Sequence, residues 1–270
     1  MKFKIISVCI LLVVISLSCK KDEMYIAGNP ELMFLSNVLL DDQPYCLYVY
    51  NDSNLVNEES SKFDFTLNHY NDKNQLVSSD YYWNNVILNT DIKMVETTLS
   101  QGEFITSANG TKGRTVRYEY NSTDLLTKAT YTGPNGGSEY SAFSYDSNSR
   151  IDRQTIYWND TETGYIDYSY DEKGNLIKEI LYNLSATGLA EPSTTIRYAF
   201  DNKQNPYKLF RNLMIPGINT NRNNITKETY IMHRKADQGT EKIQITENSY
   251  EYNVNGYPVS KNGNIEYVYE

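Results

Sequence analysis

The sequence predicts an all-β chain: an antiparallel meander of about eight or nine hairpins, some 16–18 strands, closing into a barrel or curled half-barrel. Three observations predict it. A short aromatic motif recurs along the chain with a period near 25 residues. The residues that follow each copy are those of a tight turn. The implied strands outnumber the roughly ten that an open twisted sheet holds before it curls, splits or closes, and closure removes edges that invite aggregation.

Composition agrees with that class. The 270 residues include 25 tyrosines, 8 phenylalanines, 2 tryptophans and 30 asparagines, with only 3 cysteines and 2 histidines. Those counts exclude a disulfide framework and a histidine-rich metal cluster, and no cofactor or metal is expected. With 34 acidic against 25 basic side chains there is no basic surface for nucleic acid. At 22% charged and 13% aromatic, the chain has the apolar area to offset the entropy of ordering.

The first element is a leader. Lys2 and Lys4 precede an apolar run, Ile5 to Leu17, that ends at Ser18-Cys19. A charged start before so short a run reads as a secretory signal, too short for a membrane-spanning helix. The run resembles a bacterial lipoprotein signal, with Ser16 standing where the usual motif has leucine. The resemblance implies that Cys19 becomes the fatty-acylated (palmitate-bearing) first residue of the mature chain. Lys20-Lys21-Asp22-Glu23 resembles the export tag of Bacteroidota surface lipoproteins, which implies an outer-membrane anchor facing the cell exterior. The alternative is ordinary signal cleavage with a free Cys19. Residues 1–18 are thus the signal peptide, 19–30 the lipidated cysteine and linker, and 31–270 a single β domain. Removing Lys2 and Lys4 with the leader takes the formal charge from −9 to −11, and an acidic body is repelled by anionic head groups. Cys46, in Tyr45-Cys46-Leu47-Tyr48, reads as a small buried strand residue.

Next comes Asn29-Pro30-Glu31, a plausible helix cap, but Val38-Leu39-Leu40-Asp41-Asp42 continues as strand and turn, so the segment reads as a strand. The repeat follows. Its copies are Tyr48-Val49-Tyr50-Asn51, Asn68-His69-Tyr70-Asn71, Tyr118-Glu119-Tyr120-Asn121, Phe143-Ser144-Tyr145-Asp146, Tyr168-Ser169-Tyr170-Asp171, Tyr198-Ala199-Phe200-Asp201 and Tyr250-Glu251-Tyr252-Asn253. The two gaps of 50 and 52 residues between anchors predict weak copies near residues 95 and 226.

In each copy the alternating aromatics share one strand face. The following Asn or Asp can bond its own backbone two residues on and open a turn. Four residues after the anchor stand Asn54, Asn74, Asp124, Ser149, Gly174, Gln204 and Gly256, most of which tolerate the left-handed conformation of a short loop. Val56, Leu76, Leu126, Ile151, Leu176, Pro206 and Pro258 then start a second strand. The other connections vary, from 159–164 to the longer 183–193 and 211–225, which predicts one end of uniform turns and one of varied loops, where recognition usually lies.

The repeat resembles the YD repeats of bacterial Rhs-type proteins over about residues 45–260, Tyr170-Asp171-Glu172-Lys173-Gly174-Asn175-Leu176 being the nearest copy. Rhs shells are far longer chains that enclose a toxin. The chain also resembles a family of Bacteroidota lipoproteins built of the same repeats, whose fold is described as porin-like. That family has no assigned catalytic residues, so the resemblance implies architecture and no activity.

No nucleophile elbow is present, and His69 and His233 have no nucleophile or acid at a telling spacing. Gly110-Thr111-Lys112-Gly113-Arg114 lacks the spacing of a phosphate loop, and Asp171–Asn175 lacks the ligand alternation of a calcium loop. Glu241 and Glu247 form a carboxylate pair that only coordinates can test. Trp83 and Trp158, with Tyr82 and Tyr157, each end a hairpin at the varied-loop end and are the candidate ligand-binding residues, for a glycan or a peptide. The other reading makes them packing residues of the repeat. A spanning barrel needs an apolar outer band; Lys178, read on one face with Leu176 and Ile180, opposes it. The expected protein is a surface-exposed lipoprotein acting as a non-catalytic binding or scaffold module. A glycan-active enzyme, a structural envelope protein and a membrane-spanning barrel are the alternatives.

Overall fold

The computed structural model describes residues 33–84, 104–133, 139–210, 214–233 and 240–270. Cys19, the leader and the weak copy expected near residue 95 lie outside them. The described chain is all-β apart from two short 3₁₀ turns, Pro206–Leu209 and Ile218–Thr220. The first strands are β1 (Leu35–Leu40), β2 (Gln43–Tyr50), β3 (Val56–Ser61), β4 (Asp64–Tyr70), β5 (Leu76–Trp83) and β6 (Thr111–Tyr120). The middle of the chain forms β7 (Leu126–Thr132), β8 (Glu139–Tyr145), β9 (Ile151–Trp158), β10 (Thr161–Tyr170), β11 (Leu176–Leu184) and β12 (Ala190–Phe200). The last are β13 (Ile225–Met232), β14 (Lys242–Glu247), β15 (Tyr250–Tyr252), β16 (Pro258–Lys261) and β17 (Ile265–Tyr269). Leu35–Leu40 is a strand, as expected over the capped segment.

Each strand from β2 to β14 pairs antiparallel with its predecessor, β16 and β17 do the same, and β17 turns back to pair with β1. The 17 strands form one curled sheet. It is not closed: β14 pairs only with β13 and β15 only with β16, so both edges fall at Asn248-Ser249, within one stretch of chain. That division of one stretch into two edges gives an odd strand count, where eight or nine complete hairpins would give an even one.

The turns follow the repeat closely. Asn54, Asn74, Asp124, Ser149, Gly174 and Gly256 all have positive φ, between 59° and 87°. The Asn or Asp after each anchor accepts the backbone N–H groups two and four residues on; for Asn51 these are Ser53 and Leu55, both at 3.0 Å. A register shift then follows each anchor, as where Tyr170 pairs with Leu176 but Ser169 pairs with Lys178. This bulge corrects the reading of β11: Leu176 is buried, whereas Lys178 lies on the opposite face with Ile180.

The Asp201 copy departs from the others and corrects several expectations. Its N–H bonds Asn224 O, and Asn224 N bonds Asp201 Oδ1, so Asn224 stands where the other turns have their fifth residue. Ile225, not Pro206, is the apolar residue paired with the anchor Phe200. Residues 205–223 are an insertion inside one turn. Their described residues contain 3₁₀ turns instead of the second strand expected to start at Pro206, and they lie at the tight-turn end. Ile225–Met232 is a continuous strand, so no copy begins near residue 226; the inserted segment accounts for the long gap. The 183–193 connection is also shorter than read, a turn closed by Ser185 and Gly188.

Candidate functional site

The face that carries the anchor rings is the concave one, and the inserted segment shows it. Tyr207 and Phe210 pack on Tyr48 of β2, and Tyr207 on Tyr267 of β17, with ring centroids 4.9–6.4 Å apart. Ile215 packs against the cluster of Leu126, Ile151, Tyr168 and Leu176, from β7 to β11. A segment that touches β2, β17 and β7–β11 together can lie only inside the curl. It is a plug at the tight-turn end.

Asparagines bind the plug to the turns. Asn175 Oδ1 accepts Arg222 N at 2.8 Å, Leu176 N donates to Asn221 Oδ1 at 2.7 Å, and Asn205 Nδ2 donates to Ile218 O at 2.6 Å. Asn175, Asn205, Asn221, Asn223 and Asn224 are all buried, and buried amides in such number require this partnering. Two cavities remain beside the plug, of about 290 and 200 Å³; both border Leu76, Tyr120 and Met214.

The anchor tyrosines form a ladder around the same end. Tyr70 Oη donates to Val56 O, Tyr120 to Leu76 O, Tyr145 to Leu126 O and Tyr170 to Ile151 O, at 2.5–2.8 Å. Each of these four hydroxyls thus reaches the apolar residue that opens an earlier hairpin's second strand, whereas Tyr50 Oη donates to Leu35 O and Tyr252 Oη to the Asp201 carboxylate. Burial raises these phenols, Tyr120 to about 12.

The concave face also carries carboxylates opposite the aromatic rings. Glu59 pairs with Tyr48, Glu179 with Tyr168 and Glu228 with Tyr198 across their ladders. Burial, with the Asp64 charge nearby, pushes the Glu59 carboxyl up to about 7. Burial also raises Glu179, against a 2.5 Å hydrogen bond from Tyr198 Oη, and the charge of Glu228 adds to the rise. Lys261 is lowered by burial, although Glu228 opposes that. Glu179 and Glu228 stand two strands apart on one wall and are not opposed across a groove.

The convex face is charged at mid-strand. Glu119 sits opposite Lys128 and Lys178 opposite Arg197. Arg153 bonds Asp167 at 2.6 Å and Lys227 reaches Glu247 at 3.1 Å. No helix of the described residues is long and apolar enough to cross a membrane.

The structure separates the four aromatic candidates. Tyr82 packs on the buried Phe65, 5.7 Å between centroids. Trp83 lies over Gly113, where any Cβ would stand 1.8 Å from its indole nitrogen, so this tryptophan fills the place of a missing side chain. Tyr157 stacks on Tyr140 at 4.6 Å on the convex face, with the Lys128 ammonium 4.2 Å over the Tyr140 ring. Trp158 is half exposed at the end of β9. Cys46 is half-buried, its thiol pushed up to about 11 by burial.

Sequence reasoning missed one constellation. His233 Nε2 lies 2.8 Å from Thr195 Oγ1, and His233 Nδ1 lies 2.6 Å from Glu241 Oε1. The spacing of 38 residues between Thr195 and His233 hid it, because only the β12–β13 ladder joins them. It has the order of a nucleophile–base–acid relay. But Thr195 is only 5% exposed, and its strand neighbours are engaged in ladders on both sides, which leaves no pair of free N–H groups for an oxyanion. Its described role is to tie β12, β13 and the start of β14 together. Among the described residues no group of His, Cys, Asp and Glu could hold a metal ion.

The fold and these features define a plugged, curled antiparallel β-sheet module. No family profile and no curated protein matches the chain. Among solved structures, the chain is similar to a porin-like protein from Bacteroides uniformis at 13% identity, covering 87% of this chain and 96% of that one, with a TM-score of 0.39. It is similar to a porin-like protein from Bacteroides vulgatus at 11% identity, covering 88% and 99%, with a TM-score of 0.40. A TcdB2-TccC3-Cdc42 complex matches at 14% identity over 77% of this chain and 10% of that one, with a TM-score of 0.31.

Proposed function

We propose that the protein is a lipid-anchored, non-catalytic binding module, held to the outer membrane through Cys19 and offering the half-exposed Trp158 at the end of β9 to an extracellular glycan or peptide. The observation that carries this reading is the difference between the two tryptophans: Trp83, 38% exposed, lies over Gly113 and fills the place of a missing side chain, whereas Trp158 is half exposed at the end of β9. Flat rings next to amides suit sugar faces and peptide groups. The charged convex face argues against a spanning barrel, since a Lys or Arg at the bilayer midplane costs roughly 2–4 kcal/mol. The plug argues against an open channel. No second reading is favoured by a specific observation; Glu179 and Glu228, on one wall, do not form the opposed carboxylate pair that the enzyme alternative needs.

Two experiments test the proposal. Cys19→Ala should abolish incorporation of labelled palmitate; labelling that persists contradicts the anchor. On a glycan and peptide array, Trp158→Ala should lower binding at least tenfold while leaving the circular dichroism unchanged. Binding that survives the substitution moves the site elsewhere.

A further inference from the structure

The geometry points to a second copy of this chain as the partner of β14, the two copies joining edge to edge into one continuous sheet across a two-fold axis. Among the described residues, β14 has no strand on its outer edge. Asn248 N bonds Thr226 O, so by antiparallel alternation Thr246, Gln244 and Lys242 exchange bonds with β13. The N–H and C=O groups of Ile243, Ile245 and Glu247 therefore point outward along the free edge. Edges of this kind are normally protected by proline, a bulge or a lysine in the middle of the strand. Lys242-Ile243-Gln244-Ile245-Thr246-Glu247 has none of these at its centre.

The strand is self-complementary. A two-fold perpendicular to the sheet keeps each face in register, so residues of like parity must oppose each other. Centred on Gln244, it sets Ile243 against Ile245 of the second copy, and Ile245 against its Ile243, each pair exchanging two backbone hydrogen bonds. On the convex face this gathers four isoleucines, and Ile231 already lies beside Ile243. Ile243 and Ile245 are 60% and 55% exposed, on a convex face otherwise charged at mid-strand. Burying such side chains is what draws exposed edges together. The carboxylates brought near each other at the strand ends are already partnered, Glu241 by His233 and Glu247 by Lys227. Gln244 faces its own counterpart as a non-hydrogen-bonded pair, with Cα atoms about 4.5 Å apart.

That last spacing is within reach of a disulfide. The test uses the full chain in mild detergent, with Cys9 and Cys19 changed to alanine so that Cys46 is the only other thiol. Gln244→Cys should give a disulfide-linked dimer on mild oxidation. Thr246→Cys should not, because its counterpart lies four residues along, about 13 Å away. Adding Ile245→Lys to Gln244→Cys should lower the dimer yield at least tenfold, and sedimentation of the parent chain should show a concentration-dependent dimer. A Gln244→Cys yield no higher than that of the parent or of Thr246→Cys, a yield indifferent to Ile245→Lys, or a monomer at every concentration would overturn the inference. The test is independent of the rim proposal, since β14 contributes nothing to the surface around Trp158.

Discussion

At the scale of the residue, the repeat works through two kinds of polar contact. The Asn or Asp after each anchor satisfies two amides of its own turn, and the anchor hydroxyl satisfies a carbonyl of an earlier hairpin. The first contact is local and therefore legible from spacing, down to the left-handed residues four positions after the anchor. The second joins residues from different hairpins and is visible only once the strands are paired. Tyr145→Phe removes one such bond, 2.7 Å to Leu126 O, and should lower stability by about 1 kcal/mol in denaturant titration. Phe200 shows that a ring alone is accommodated at this position. Glu59 illustrates what spacing cannot reveal: its ionisation depends on burial. Because its folded pKa of about 7 lies above its unfolded value of 4.5, the folded state holds the proton more tightly, and stability falls as pH rises between those values. The fall should be up to roughly 3 kcal/mol, the size of the shift in free energy. Glu59→Gln should flatten that stretch of the stability–pH curve; an unchanged slope would assign it to other groups. Asp146 and Asp171 act oppositely. Against their own desolvation, amide donors hold both below the usual carboxylate range, so acidification below that range removes their contribution.

At the scale of the element, the hairpins were readable and the plug was not. A turn of five residues that receives 19 more keeps its first half, Asp201 to Lys203, and finishes it at Asn224; nothing local marks the resumption. The recurring bulge was hidden for a related reason. One extra residue after each anchor returns the next side chain to the opposite face, which strict alternation cannot anticipate. The plug's aromatic contacts are nevertheless large. Phe210→Ala should cost about 3–5 kcal/mol in thermal or denaturant unfolding, the usual loss for a buried phenylalanine. A cost below about 1 kcal/mol would mean that the plug does not pack as described. The two tryptophans divide along the same lines. Trp83→Ala should destabilise the fold by emptying the space over Gly113, and Trp158→Ala should leave the melting curve unchanged. Their positions in the repeat are the same; only the glycine across the bulge tells them apart.

At the scale of the whole molecule, the curvature was foreseeable because too many hairpins follow one another for a flat sheet, whereas the odd strand count of 17 was not. Where the sheet opens was not, since that depends on a single stretch of chain serving two neighbours in turn. Which face is convex also required the plug, and the convex face decides the central question of whether this wall meets water or lipid. Its ladder pairs place Glu119 against Lys128 and Arg153 against Asp167 at mid-strand, a pattern for water. The measurement that tests this most directly is phase partition of the chain beginning at Lys20, without leader or lipid-bearing cysteine, between an aqueous and a detergent phase. The protein should enter the aqueous phase with a β-type circular dichroism spectrum and a cooperative melt. Recovery of folded protein only from the detergent phase, or ion conductance across a planar bilayer, would contradict a water-facing wall.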